Sequence, residues 1–186
     1  MVKGPDGKRT LIPCRTESKN PEVDWPNTWK LANQKGLNPE EKSFLFRLLH
    51  DLLTTQERLF RLQMKNTPNQ NCLLCTKNEV GNLTHTLLTC EFNMEVSTWL
   101  LDTIRVHVPH VQPKQVVLLN LGNMDDSLQL PIVWLITNTL HWIWKDRVIR
   151  KKPNLQRTRS SLEAQVNILR KSRFKNASLI IQNFGI

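Results

Sequence analysis

A mainly α-helical fold is what this sequence predicts, on three observations. Leu45, Leu48, Leu49, Leu52 and Leu53 recur at the i, i+3, i+4, i+7, i+8 spacing of a helix packed on a core. Asn38-Pro39-Glu40-Glu41 just ahead of them carries a cap, a first-turn proline and two acids at the positive end of the helix dipole. The segment 130–144 is apolar on nearly all sides, and a second striped segment follows Pro153. With 186 residues, 39% of them hydrophobic and 23% charged, the chain is long enough to bury a real core.

The elements can be taken in order. Residues 1–28, rich in Pro, Gly, Lys and Thr without a sustained period, are expected to be a mobile lead-in ending at Trp25-Pro26. A short helix over 29–35 is stopped at Gly36, and the Leu-striped helix begins after Asn38. Thr54-Thr55-Gln56-Glu57 has the form of a capping box, with Thr54 as cap, and opens a helix to about residue 62. A turn is expected at Gly81-Asn82, and a short helix capped by Thr84 after it. Residues 95–108 form a further helix with Trp99, Ile104 and Val108 on its apolar side, while 116–121 is short enough to be a strand or a helical turn. Ser127 opens a long helix in which Pro131 is near enough to the start to be tolerated. Its apolar run falls short of a membrane span and is broken by Thr137, Asn138, Thr139 and His141, so a central buried helix is expected. A last helix covers 155–182 with a stripe of Leu155, Leu162, Val166 and Leu169. The expected divisions are a lead-in (1–28), a helix pair plus cysteine-rich segment (29–110) and a helical C-terminal region with a basic patch (111–186).

Three of the four cysteines fall in one stretch. Cys72, Cys75, His85 and Cys90 read Cys-x2-Cys-x9-His-x4-Cys. Two thiolates from a tight turn and a second pair from a following helix complete a closed tetrahedral set, the donor chemistry of structural zinc. With four protein ligands, no position stays open for water or substrate, which argues against a catalytic ion. A redox dithiol would need a strand before Cys72, where the polar run 66–71 reads as a loop, and the hydrophilic opening 1–10 shows no secretory signal, so disulfides are disfavoured. Cys14 is left over as a free thiol. His85 and Cys90 lie five apart, about 140° on an α-helix, so Cys90 must sit at or beyond the helix end to reach the same ion. The fold is therefore a small zinc-stapled helical domain with a CCHC knuckle-like site, followed by long C-terminal helices.

Residues 44–53 (Phe-Leu-Phe-Arg-Leu-Leu-His-Asp-Leu-Leu), then Thr55-Gln56-Glu57-Arg58-Leu59, the CCHC cluster and Trp99 together resemble the zinc-binding segment downstream of the polymerase in non-LTR (LINE-type) retrotransposon reverse transcriptases. Thr54 stands where many relatives have proline. The resemblance runs from Trp29 to Trp99, about seventy residues, and implies nucleic-acid handling during target-primed reverse transcription, in the nucleus, an address to which Arg150-Lys151-Lys152 would contribute, or otherwise in the cytoplasm. The polymerase itself is not expected in this chain: the one adjacent acid pair, Asp125-Asp126, follows the cluster and precedes a helix, where it reads as a helix start. Pro153-Asn154 does not supply the Pro-Asp core of the endonuclease some relatives carry, so the chain is expected to be a carboxy-terminal piece or a remnant, and not itself an enzyme.

The formal charge of +10 is concentrated. Residues 145–175 hold eleven Lys and Arg against Asp146 and Glu163, while the rest of the chain is nearly balanced. Lys145, Arg147, Arg150, Lys151 and Lys152, followed by Arg157, Arg159, Arg170, Lys171, Arg173 and Lys175, are the candidate phosphate contacts for RNA or DNA. Trp142 and Trp144 could stack on unpaired bases, although the apolar helix around them favours core packing. The alternative function is a scaffold whose last helix docks on a polymerase domain or another protein. A hydrolase finds no support, since His50, His107, His110 and His141 lack a neighbouring nucleophile arrangement.

Overall fold

The structure is a computed structural model that describes residues 2–3, 9–10 and 15–171, with side chains over 16–167. A short antiparallel pair, Val2–Lys3 with Arg9–Thr10, precedes eight α-helices among the described residues. These are α1 (Arg15–Lys19), α2 (Trp25–Ala32), α3 (Pro39–Leu49), α4 (Gln56–Arg61), α5 (Met94–Arg105), α6 (Pro113–Val117), α7 (Asp126–Val148) and α8 (Leu155–Lys171). The fold is mainly helical, and no described helix is long and apolar enough to cross a membrane.

Helix α7 is the axle. Every residue from Pro131 to His141 is buried, and α2, α3, α5 and α8 pack around it. The expected stripes supply the other side: Leu45, Leu48, Leu49 and Leu53 are buried on and after α3, and Leu162 and Val166 on α8, while Leu52 is left 40% exposed. Two of the polar groups that enter this core on α7 are partnered, although the Thr139 hydroxyl has no partner among the described residues. Asn138 Nδ2 donates to Glu41 Oε1 at 2.9 Å, tying the first turn of α3 to the middle of α7, and His141 stacks on Phe44 with centroids 4.6 Å apart. Asn38 caps α3 as expected, with Glu41 returning the bond to the Asn38 amide. Asp125 caps α7 through the Ser127 amide, which gives the Asp-Asp pair its helix-start role.

Several expectations need correction. The lead-in becomes ordered well before residue 28: Asp24 caps α2 by accepting from the Asn27 amide, Pro26 sits harmlessly in the first turn, and Thr28 donates across to the Leu118 carbonyl at 3.1 Å. α2 therefore begins at Trp25 and ends at Ala32, ahead of Gly36. The cap of α4 is Thr55, accepting from Arg58 N, and exposed Thr54 is one residue too early. Thr84 makes no cap bond. Residues 116–121 fall to the helical alternative in and after α6. Pro131 lies past the first turn of α7, so it gives up one bond of the helix ladder instead of none. Residues 172–182 of the expected last helix lie outside the described residues. One buried cluster runs from Leu31 to Val166, across residue 110.

Candidate metal centre

The first ligand pair sits on a narrow loop. Asn71 and Val80 form an isolated antiparallel bridge, Cys72 N donates to Glu79 O at 2.8 Å, and Gly81 N donates to Gln70 O at 2.9 Å. Gly81 is required there: a Cβ would come within 2.9 Å of Gln56 Cβ and 3.4 Å of Cys72 Cα. Its carbonyl accepts from the Glu57 amide, so the loop is seated on the start of α4.

The second pair comes from an unusual turn. Asn82 Oδ1 accepts from the His85 amide at 2.9 Å and starts a π-helix, His85–Thr89. Cys90 N closes it by donating to His85 O at 3.0 Å. That i→i+5 bond widens the turn and brings position 90 back over position 85, while Cys90 itself is already extended. The angular conflict between residues five apart is thus resolved by π geometry together with a ligand at the helix end. Leu87 and Leu88, between the ligands, are buried in the core and anchor the turn.

The four donor atoms all lie within 4.8 Å of one another. Cys72 Sγ and Cys90 Sγ are 3.7 Å apart, and Cys75 Sγ and His85 Nε2 are 3.5 Å apart. Sulfurs at about 2.3 Å and a nitrogen at about 2.0–2.1 Å from one tetrahedral zinc would be separated by about 3.8 Å (S···S) and about 3.6 Å (S···N). These two separations match a zinc tetrahedron, and the S···S gap is far beyond the about 2.05 Å of a disulfide. His85 presents Nε2 to the sulfurs, while its Nδ1 lies 2.8 Å from Glu79 Oε2 but without hydrogen-bond alignment. A carboxylate beyond the ring is the usual means of fixing a liganding histidine.

The thiols feel one another. Burial opposes ionisation of Cys72, but the Leu74 amide, the Arg147 guanidinium and His85 bring it down to about 6. Cys75 is pushed up to about 11, by desolvation and then by the neighbouring Cys72 and Cys90. Crowded thiolates that penalise one another are what a divalent cation relieves.

Residues 14–99 match the model of a family described as zinc-binding in reverse transcriptase. Over these residues the chain is similar to the zinc-binding segment of reverse transcriptases. Neither a curated protein nor a solved structure matches the chain. The zinc-binding segment thus takes in α2, α3, α4, the ligands and Trp99, and Cys72, Cys75, His85 and Cys90 are the residues that would hold zinc, whose role with four protein donors is structural.

The basic candidates beyond the zinc-binding segment are not equivalent. Arg150, Lys151 and Lys152 are exposed and form no ion pair among the described residues. Lys145 Nζ is 3.0 Å from Glu40 Oε1, and Arg157 pairs with buried Asp146. Arg147 is corrected: it is 9% exposed, donating to Asn93 Oδ1 at 3.0 Å and to Cys72 Sγ at 3.3 Å, so its guanidinium is engaged inside the protein and not presented to solvent. Arg159 is half-buried with a contact of its own. The side chains of Arg170 and Lys171, and Arg173, Lys175 and Cys14 altogether, lie outside the described residues. Trp144 packs on the core and borders a cleft with Arg150, while Trp142 lies 5.5 Å beneath Lys145 Nζ. Glu79, Asn93 and the role of Arg147 were missed in the sequence; an acid four residues after Cys75 was the one available signal, and a weak one.

Proposed function

We propose that this chain is a non-catalytic nucleic-acid-binding module, acting in the nucleus alongside a polymerase, in which zinc fixes a helical body that presents cations to the phosphates of RNA or DNA. The observation that carries this reading is the Arg150-Lys151-Lys152 turn at the end of α7: three consecutive exposed cations without acidic partners among the described residues, in the part of the chain that holds nearly all the net charge. The rest of the expected patch is reduced, because Arg147, Lys145 and Arg157 already have partners. No set of residues there suggests base reading, so binding should be driven by charge and shape.

Filter binding of the zinc-loaded protein to single-stranded RNA across a salt series tests it. Replacing Arg150, Lys151 and Lys152 together by Ala should reduce the slope of log affinity against log salt by about 2, at roughly 0.7 per phosphate contact. Absent binding at about 50 mM salt, or an affinity indifferent to salt, would overturn the reading. A protein-docking role has one observation in its favour: Phe60, Leu62 and Met64 on and after α4 are 43%, 53% and 51% exposed.

A further inference from the structure

Arg147 is a buried cation without a carboxylate. Among the described residues no acid lies within ion-pair distance of it: the adjacent Asp146 is taken by Arg157, and Glu91 faces Thr76 and Lys77. Its guanidinium lies 5.6 Å from the Phe92 ring, with Nη1 on Asn93 Oδ1 and Nη2 on Cys72 Sγ. Asn93 is 1% exposed, donates to the Leu87 carbonyl at 2.8 Å, and receives the chain directly from the last ligand, its amide bonding to Cys90 O at 3.1 Å. One planar group on α7 therefore clasps the entry and the exit of the cysteine-rich loop.

Buried charge persists only with a compensating partner. Three thiolates and one divalent ion leave a single negative charge in the centre, and the guanidinium beside Cys72 is the cation placed to balance it. We propose that Arg147 is the outer counter-ion of the zinc centre, so that the centre is completed by a residue 48 positions beyond the end of the family match and loading the metal locks the end of α7 to the loop. The segment 14–99 on its own then lacks part of its metal site. Arg147 acts through Cys72 and Asn93 and does not touch the ion.

The test uses the full chain with Arg147→Met and Arg147→Lys. By chelator competition the Met variant should bind zinc 10–100-fold more weakly, the usual cost of losing an outer-shell partner. With Co²⁺ in place of zinc, loss of the N–H···S bond leaves the thiolate more electron-rich, so the sulfur-to-metal charge-transfer band should move to lower energy. The Lys variant, which keeps the charge but cannot span Asn93 and Cys72 together, should fall between. Without metal, the Met variant should melt no lower than the parent, since it removes a buried cation. Unchanged zinc affinity and an unshifted cobalt band in the Met variant would overturn the assignment, as would an equal loss of stability with and without metal. If the Met variant does not fold, the cobalt band of the Lys variant decides in the same way.

Discussion

The loop that carries the ligands and the α3–α7 contact are held together by different physics. Residues 70–81 contribute one isolated bridge, a handful of loop hydrogen bonds and mostly exposed side chains such as Leu73. Phe44, Leu45, Leu48 and Leu49 of α3, by contrast, are completely buried in the core that α3 shares with α7 and need no ion. Where burial is too small to order a chain, four donors around one cation substitute for it, and the two regions should fail separately.

Stripping the metal is the largest perturbation that comparison allows, because structural zinc in finger-like peptides contributes about 10–16 kcal/mol of apparent binding free energy. Chelation, or Cys90→Ser, should abolish amide protection over residues 70–81 while α3 and α7 remain protected in hydrogen exchange. Phe44→Ala should do the opposite, costing about 3–5 kcal/mol across all the packed helices while zinc is still bound at full stoichiometry. Uniform loss of protection on chelation would erase the distinction between the two regions.

A smaller effect belongs to the core alone. His141 is 9% exposed, and burial, followed by the nearby Lys145, depresses its pKa to about 4, outweighing the pull of Glu40. A base whose folded pKa is lowered binds fewer protons folded than unfolded. Its contribution is therefore intact above pH about 6.5 and is lost as pH falls from there towards 4, by at most about 3 kcal/mol. Glu41, raised by burial, works in the opposite direction in acid, so the useful quantity is a difference. Urea denaturation of the parent and of His141→Gln between pH 4 and 7 should give curves that converge as the pH falls; parallel curves would remove His141 as the cause.

What could be read from the sequence follows the same division. The ligands were legible because coordination chemistry restricts both residue type and spacing, and α3 and α7 were legible because burial imposes a period. Arg147 was not: within its basic run it resembles Arg150, and only the packing of α7 against residues 75 positions away distinguishes them. Lys145 and Arg157 misled for the same reason, their partners Glu40 and Asp146 being chosen by the fold. The π-turn was invisible because nothing local in His-Thr-Leu-Leu-Thr asks for it; the need of Cys90 to face His85 does. The start of α2 was missed, although Asp24 followed by Trp25-Pro26, a cap and a first-turn proline, carried the signal.

The smallest effect concerns the joint between the two regions. Helix α4 carries the Gly81 carbonyl on its Glu57 amide and is pinned to the end of α3 by Arg61 and Asp51 at 2.8 Å. Its cap, Thr55, is 2% exposed and accepts from Arg58 N, whereas Thr54 is exposed and caps nothing. Thr55→Ala should therefore cost about 1 kcal/mol and Thr54→Ala less than about 0.5 kcal/mol in urea denaturation. Because the Arg61–Asp51 bridge ties α4 to α3 independently of the ligands, the Thr55 loss should be equal in the metal-free and zinc-loaded protein. A loss confined to the loaded form would assign α4 to the metal loop instead of the core.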